Sequence, residues 1–96
     1  MPTPGLNELM QEAQKIQSSM KSIQNELENT QVVGSSKHKE VQITMNGKHE
    51  VVNTIVGASA AGTSIETLQN FITAAINDAV YKIEKIAQEK MKVVLG

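Results

Sequence analysis

The stretch VQITMNGKHEVVNTIV, residues 41–56, decides the fold of this chain. In its first half, apolar and polar side chains alternate, which is the period of a half-buried β-strand. Asn46-Gly47 follows, and this pair is the strongest short-range signal for a β-hairpin because both residues tolerate positive φ. Residues 49–56 are therefore predicted to return as the partner strand.

The register of this hairpin is left open by the sequence. A two-residue loop at Asn46-Gly47 would put Val52 and Val56 on the face of Ile43. A longer loop or a bulge would bring Val51 and Ile55 to that face instead. Both pairs are apolar, so the hydrophobic pattern does not decide between them.

A further short strand is predicted before the hairpin, at Gln31-Val32-Val33-Gly34. It is separated from the hairpin by the polar loop Ser35–Lys39. With the two hairpin strands it would complete a three-stranded antiparallel sheet.

The segment before the sheet is predicted to be one long helix. Thr3 followed by Pro4 is predicted to form the N-cap and the first helical position. Apolar residues then recur with spacings of three and four over three unbroken heptads, the pattern of a helix that packs along a narrow line. We call this set the N-terminal seam: Leu6, Leu9, Ala13, Ile16, Met20, Ile23 and Leu27.

The segment after the sheet is predicted to be a second long helix. It follows the small-residue linker Gly57–Gly62, and Thr63 with Glu66 forms a capping box at its start. A helix from Ser64 to about Val94 would be roughly 45 Å long at 1.5 Å per residue. Its predicted apolar side consists of Ile65, Leu68, Ile72, Ile76, Ala79, Ile83 and Ile86.

Two helices of this length cannot both be covered by a three-stranded sheet. They must protrude, pair with each other, or pair with a second chain. The N-terminal seam and the sheet's need for a second layer both favour a homodimer. The predicted class is thus α+β, with residues 1–96 forming a single domain.

Composition limits the function classes. Nine basic residues, all lysine, stand against ten acidic ones, so the formal net charge is −1. A nucleic-acid-binding protein usually has a clear positive excess, so any DNA contact must depend on how the lysines are distributed. Phe71 and Tyr81 are the only aromatic residues, which argues against a protein that stacks on the bases of single strands.

The sequence has no signal for a disulfide-bonded, membrane, metal-binding or catalytic protein. The chain has no cysteine, no run of apolar residues long enough for a membrane span, and no signal-peptide pattern at its start. His38 and His49 lie at no metal-like spacing, and no nucleotide loop or nucleophile motif is present. We therefore expect a cytoplasmic protein that is not an enzyme and has no cofactor, no small-molecule substrate and no membrane partner.

Three segments together resemble a known family. These are LMQEAQKIQ at residues 9–17, VQITMNG at 41–47, and AAINDA at 74–79 followed by Ile83-Glu84 and Glu89-Lys90-Met91. They are similar, in order and separation, to the YbaB/EbfC family of bacterial nucleoid-associated proteins. The chain departs from the family's pattern at Ser35–His38, where a glycine-rich stretch is common, and at Gly57–Gly62, which is commonly acidic.

The resemblance implies an intertwined homodimer whose long helices project like the arms of tweezers. It also implies binding to double-stranded DNA with weak sequence specificity, at the nucleoid, with effects on nucleoid organisation and gene expression. Duplex binding needs cations directed at phosphates. The candidates are the lysines of the two long helices: Lys15, Lys21, Lys82, Lys85, Lys90 and Lys92.

Each candidate on the second helix has an alternative explanation. Lys82, Lys85 and Lys92 share one helix face, but Asp78 and Glu89 are placed to form i,i+4 ion pairs with Lys82 and Lys85. This face would then be an ordinary solvated one. Lys90 falls within the apolar stripe, where it either extends to solvent or faces the space between paired arms.

Lys15 and Lys21 lie beside the N-terminal seam, and Lys15 is also placed to pair with Glu12. The cluster of Lys37, His38 and Lys39 is more typical of a soluble loop than of a DNA contact. The rival function is a structural protein–protein interaction module that uses the N-terminal seam, without physiological DNA binding. The acidic balance of the chain is its best support.

Overall fold

The computed structural model describes residues 5–95, with side chains to Lys92, and it confirms the predicted α+β order. A long helix, a three-stranded antiparallel sheet and a second long helix follow one another, with one short helix between the last two. The predicted start at Thr3 and Pro4 lies outside the described residues. The elements are α1 (Leu6–Asn29), β1 (Gln31–Ser35), β2 (Val41–Asn46), β3 (Val51–Val56), α2 (Ala58–Ala61) and α3 (Ile65–Leu95).

The hairpin has a three-residue loop rather than the two-residue loop considered above. The Asn46 N–H donates to the Glu50 carbonyl at 3.0 Å, and His49 lies in the loop with φ 62°. The Asn46 side-chain oxygen accepts from the N–H groups of Lys48 and Glu50, so the asparagine stabilises the longer loop. Such loops place one residue in the left-handed region, which His49 here adopts.

A bulge follows this loop and settles the register. Strands β2 and β3 shift by one residue at Thr44 and Met45, so that Met45 opposes Val51 whereas Val41 opposes Val56. Opposed residues share a face of the sheet. The face of Ile43 therefore carries Val51, as expected for a longer loop, and Val56, as expected for a two-residue loop. Both occur because the bulge changes the register within the hairpin.

The start of α3 differs from the predicted capping box. The Ser64 hydroxyl, not that of Thr63, accepts the Thr67 N–H at 3.2 Å, so Ser64 is the N-cap. Thr63 instead donates its hydroxyl to the Ala60 carbonyl of α2, a short helix within the segment expected to be only a linker.

The core lies between α3 and the first two strands. Val41, Ile43 and Met45 of β2 are buried, and they pack with three small or aliphatic residues of α3 that lie on successive turns. Gly34 of β1 lets the helix approach the sheet, because a Cβ at that position would overlap the backbone of α3. The α3 residues are Ala75, Ala79 and Ile83.

Helix α3 leaves β3 uncovered. All six residues of β3 are exposed, including Val51, Val52, Ile55 and Val56, whose exposed fractions are 45–51%. The strand order is β1-β2-β3, so β3 is also an edge of the sheet. An apolar strand with both faces in solvent is unusual for a single chain.

Helix α1 is similarly uncovered. None of its residues is buried, and Leu6, Leu9, Ile16 and Met20 of the N-terminal seam are between 38% and 74% exposed. The end of α1 contacts the sheet at the turn glycine Gly47, where a Cβ would overlap the backbone of Leu27. Because α1 extends away from the sheet, the chain measures 71 Å along its longest axis and 20 Å or less across the others.

Candidate nucleic-acid interface

The six candidate lysines fall into two groups, those held by a partner within the chain and those that are not. All six lie on α1 or α3, as predicted. Lys82 and Lys90 form ion pairs. In the part of the chain that the structure describes, Lys15, Lys21, Lys85 and Lys92 form neither an ion pair nor a side-chain hydrogen bond.

Lys82 is held against the edge of the sheet. Its Nζ donates to the Val33 carbonyl at 2.8 Å and lies 3.2 Å from the Asp78 carboxylate, one helical turn earlier. Asp78 also accepts the Ser35 N–H at 2.9 Å. That backbone hydrogen bond, with a further contribution from Lys82, holds the pKa of Asp78 below its ordinary range. The predicted Asp78–Lys82 pair is therefore present.

Lys90 connects the two long helices. Its Nζ lies 2.8 Å from the Glu26 carboxylate near the end of α1, and its side chain is 32% exposed. From the sequence, Lys90 was expected either to extend to solvent or to face the space between paired arms. The structure shows a third environment, an interhelical ion pair between residues 64 positions apart.

The other four lysines are exposed and have no charged partner among the described side chains. Lys85 lies in a shallow groove with Tyr81, Glu84 and Gln88. The predicted Lys85–Glu89 pair is absent from the ion pairs of residues 5–92. Lys92 follows two turns later and is also exposed.

Lys15 and Lys21 occupy the polar side of α1. Lys15 lines a shallow depression together with Gln11, Gln14 and Ser18. The alternative pair with Glu12 is likewise absent from the ion pairs of the described residues. Both lysines are exposed, so both are accessible to a phosphate.

The turn that carries Lys37, His38 and Lys39 is held by a carboxylate that the sequence interpretation passed over. Glu40 is only 8% exposed, and it accepts the His38 N–H at 2.6 Å and the Ser36 hydroxyl at 3.2 Å. Burial alone would raise the pKa of Glu40. The backbone and hydroxyl hydrogen bonds outweigh that effect, so its pKa lies below the ordinary range. Nothing in the sequence around Glu40 indicated that its carboxylate would hold this turn.

Two further observations concern metal binding and membrane insertion by the described residues. Among them, no group of three or more acidic or histidine side chains is placed to hold a metal ion. None of the helices in that part of the chain combines the length and the apolar character needed to cross a membrane. What the surface does offer is exposed ammonium groups on long helices.

A comparison with protein families decides where this chain belongs. The model of the YbaB/EbfC DNA-binding family matches residues 1–96, the whole chain. The chain belongs to this family. The resemblance inferred from three sequence segments is therefore confirmed.

Individual relatives agree with the family match. A nucleoid-associated protein of Hahella chejuensis is 43% identical over 86 residues, which cover 90% of this YbaB/EbfC chain and 80% of that protein. A nucleoid-associated protein of Legionella pneumophila is also 43% identical over 86 residues, covering 90% of this chain and 77% of its own.

A solved structure has the same fold. The crystal structure of an uncharacterized protein from Helicobacter pylori matches this YbaB/EbfC chain with a TM-score of 0.83 at 18% identity. The match covers 98% of this chain and 100% of that one. At this low identity the comparison supports the arrangement of helices and sheet alone.

Proposed function

We propose that this protein is a nucleoid-associated protein that binds double-stranded DNA as a homodimer with weak sequence specificity. The observation that carries the proposal is the match of the YbaB/EbfC DNA-binding family over the entire chain. In the cell it would act in the cytoplasm, on the DNA of the nucleoid, and influence nucleoid organisation and gene expression. The proposal includes no catalytic step.

The homodimer is supported by the exposed apolar surface of α1. The N-terminal seam runs along a helix of 24 residues that has no buried side chain. Helices in proteins gain most of their stability from the packing of an apolar face rather than from intrinsic helix propensity. A second copy offers an identical seam and so provides the missing packing surface for both chains.

The DNA contacts would be made by lysines on the two long helices. Lys15, Lys21, Lys85 and Lys92 carry charge that no partner in the described chain neutralises. Lys82 and Lys90 remain part of the proposed surface, but each would share its charge between a phosphate and the carboxylate it already contacts.

Weak sequence specificity follows from the kind of cation. Every basic residue is lysine, which contacts phosphate as a point charge and lacks the planar fork with which arginine reads guanine. Contacts to phosphates position a protein on the duplex but carry little sequence information. The affinity should therefore depend on salt much more than on sequence.

The second candidate function is a protein–protein interaction module. It is favoured by one observation, the apolar N-terminal seam exposed on a chain of net charge −1. In this account a different protein covers the seam, and DNA binding has no physiological role. Association with that protein would be insensitive to salt, whereas association with DNA would not.

Fluorescence anisotropy with a labelled duplex of about 30 base pairs tests the proposal. The informative variant is Lys85→Ala/Lys92→Ala, which removes two free charges from α3. Its control is Lys37→Ala/Lys48→Ala, which removes the same charge from exposed turns of the sheet. We expect the α3 variant to bind more weakly and with a shallower dependence on salt, by about one unit of slope for each phosphate that is no longer bound.

Equal weakening by both variants would show that binding follows net charge rather than the helices. Equal and undiminished binding by both would place the binding surface on other residues, with Lys15 and Lys21 the next to be changed. Absence of binding by the folded wild-type protein at low salt would contradict the proposal and favour the interaction module.

A further inference from the structure

The glycine of the hairpin loop is not explained by the loop itself. The Asn46-Gly47 pair predicts a hairpin because both residues tolerate positive φ. In the structure neither of them has a positive φ, and His49, with φ 62°, takes the left-handed position of the loop. The backbone of the loop would therefore accept an alanine at position 47, so the requirement for glycine must come from a neighbouring element.

The neighbouring element is the last part of α1. A Cβ at Gly47 would overlap the carbonyl group of Leu27 and would lie 2.9 Å from its Cα. These are backbone atoms, which cannot rotate away as the end of a flexible side chain can. Glycine is therefore the residue that lets the hairpin loop and α1 approach each other this closely.

The loop forms a firm support for α1. The side-chain oxygen of Asn46 accepts the N–H groups of Lys48 at 2.9 Å and Glu50 at 3.1 Å. The Asn46 N–H donates to the Glu50 carbonyl at 3.0 Å, which ties the loop to the end of β2. Because the loop is held at several points, a side chain added at Gly47 would displace α1 rather than the loop.

The connection between α1 and the sheet is a single residue. Helix α1 ends at Asn29 and β1 begins at Gln31, so Thr30 alone joins them. The Thr30 hydroxyl donates to the Glu26 carbonyl at 2.6 Å, and its N–H donates to the Leu27 carbonyl at 3.0 Å. Thr30 is thus the point about which α1 would turn if its contact with the loop were changed.

A small displacement near this point becomes large along the helix. At 1.5 Å per residue, Leu27 lies about 4.5 Å from Thr30 along the axis, and Lys15 lies about 22 Å from it. A shift of about 1 Å at Leu27 would then move Lys15 by about 5 Å and Lys21 by about 3 Å. A direct hydrogen bond to a phosphate does not tolerate a change of that size.

We propose that Gly47 is a positioning residue for DNA binding. By seating the hairpin loop directly against Leu27, it sets the direction of α1 and so the placement of Lys15 and Lys21 relative to the lysines of α3. The inference rests on the proposed binding of DNA. It gives a part in that function to a residue that carries no charge and need not touch the duplex.

The direction of α1 can be measured on the full-length protein without DNA. Residual dipolar couplings of the backbone N–H groups report the angle between α1 and α3. We expect a different angle in Gly47→Ala and the wild-type angle in His49→Gly, which changes the same loop away from Leu27. A folded Gly47→Ala protein with the wild-type angle would overturn the inference and leave the DNA proposal intact.

A double-mutant cycle separates positioning from a simple loss of stability. Anisotropy across salt measures the effect of Lys15→Ala/Lys21→Ala on duplex binding, first in the wild type and then in Gly47→Ala. In the wild type we expect weaker binding and a slope on salt that falls by about one unit for each lost phosphate contact. In Gly47→Ala these lysines are already displaced, so their removal should have a much smaller effect. Equal losses in the two backgrounds would contradict a positioning role.

A second variant keeps the inference testable if Gly47→Ala does not fold. Asn46→Ala loosens the loop without adding an atom beside Leu27, and it should reduce the couplings of α1 relative to those of α3. Unchanged couplings in a folded Asn46→Ala protein would overturn the inference. Absence of DNA binding by the wild type would overturn it together with the function on which it rests, whereas the angle measurement overturns it alone.

Discussion

The Lys90 Nζ lies 2.8 Å from the Glu26 carboxylate, and this ion pair links the far part of α3 to the end of α1. Both side chains are partly exposed, at 32% and 59%. An ion pair in such surroundings contributes about 0–1 kcal/mol to the free energy of unfolding. Its larger consequence is electrostatic, because a carboxylate neutralises one of the lysines proposed to contact phosphate.

We therefore predict that Glu26→Gln strengthens DNA binding. The substitution frees Lys90 and removes a negative charge beside the proposed duplex, while the free energy of unfolding changes by about 1 kcal/mol or less. Anisotropy at fixed salt measures the affinity. Glu28→Gln removes the same charge from the same helix end, and Glu28 forms no ion pair with the side chains of residues 5–92. An equal gain in both variants would show that only net charge matters.

The glycine in β1 gives a prediction for stability. Gly34→Ala forces α3 away from the sheet, and overpacking of this kind costs about 1–3 kcal/mol. Gly62→Ala is the control, because a Cβ there would meet nothing within 4 Å. Urea unfolding compares the two free energies. Equal stabilities would mean that α3 does not pack against β1 as closely as described.

The N-terminal seam gives a prediction for assembly. Ile16 is 51% exposed in the chain, so Ile16→Lys should cost an isolated chain little. If the seam packs against a second copy, the buried lysine weakens the dimer, and sedimentation velocity should show a rise in Kd of tenfold or more, equivalent to about 1.4 kcal/mol. Gln17→Lys adds the same charge on the adjacent, polar side and should leave the dimer intact. Unchanged dimerisation in both variants would remove the seam from the interface.

The sequence predicted the elements of this fold well, because each had a strong local signal. The heptads from Leu6 to Leu27 fall within α1 at 6–29, and the alternation at 41–45 coincides with β2. The register of the hairpin was not predictable, since it depends on a bulge at Thr44 and Met45 and on hydrogen bonds that the Asn46 side-chain oxygen accepts from N–H groups of the loop.

The site was predicted less completely. The pattern placed six lysines on two helices, and it identified Asp78 as a partner of Lys82 by its i,i+4 spacing. It could not show that Lys82 also binds the Val33 carbonyl, 49 residues away, or that Lys90 meets Glu26. Such interactions depend on tertiary packing, and the periodicity of a helix reports only which residues share a face.

The two perturbed carboxylates give a prediction for pH. The pKa of Glu40 and that of Asp78 both lie below their ordinary values of 4.5 and 3.8. Their stabilising effect is fully present above those values and is lost as the pH falls through the lower pKa of the folded state. The free energy of unfolding should therefore decrease below about pH 4.5.

Glu40→Gln isolates one of these contributions. The amide keeps an acceptor for the Ser36 hydroxyl but has no proton to gain, so the loss of stability between pH 5 and pH 3 should be smaller than in wild type. Urea unfolding at several pH values measures it. Identical pH profiles for the two proteins would contradict the assignment of this effect to Glu40.

The measurement that tests the central claim most directly is the binding of wild-type protein to a labelled duplex at a series of salt concentrations. The account predicts saturable binding, with a logarithm of affinity that falls linearly with the logarithm of salt. It also predicts similar affinities for duplexes of unrelated sequence. A folded protein that leaves the anisotropy of the duplex unchanged at the lowest salt would contradict the claim that this chain binds DNA.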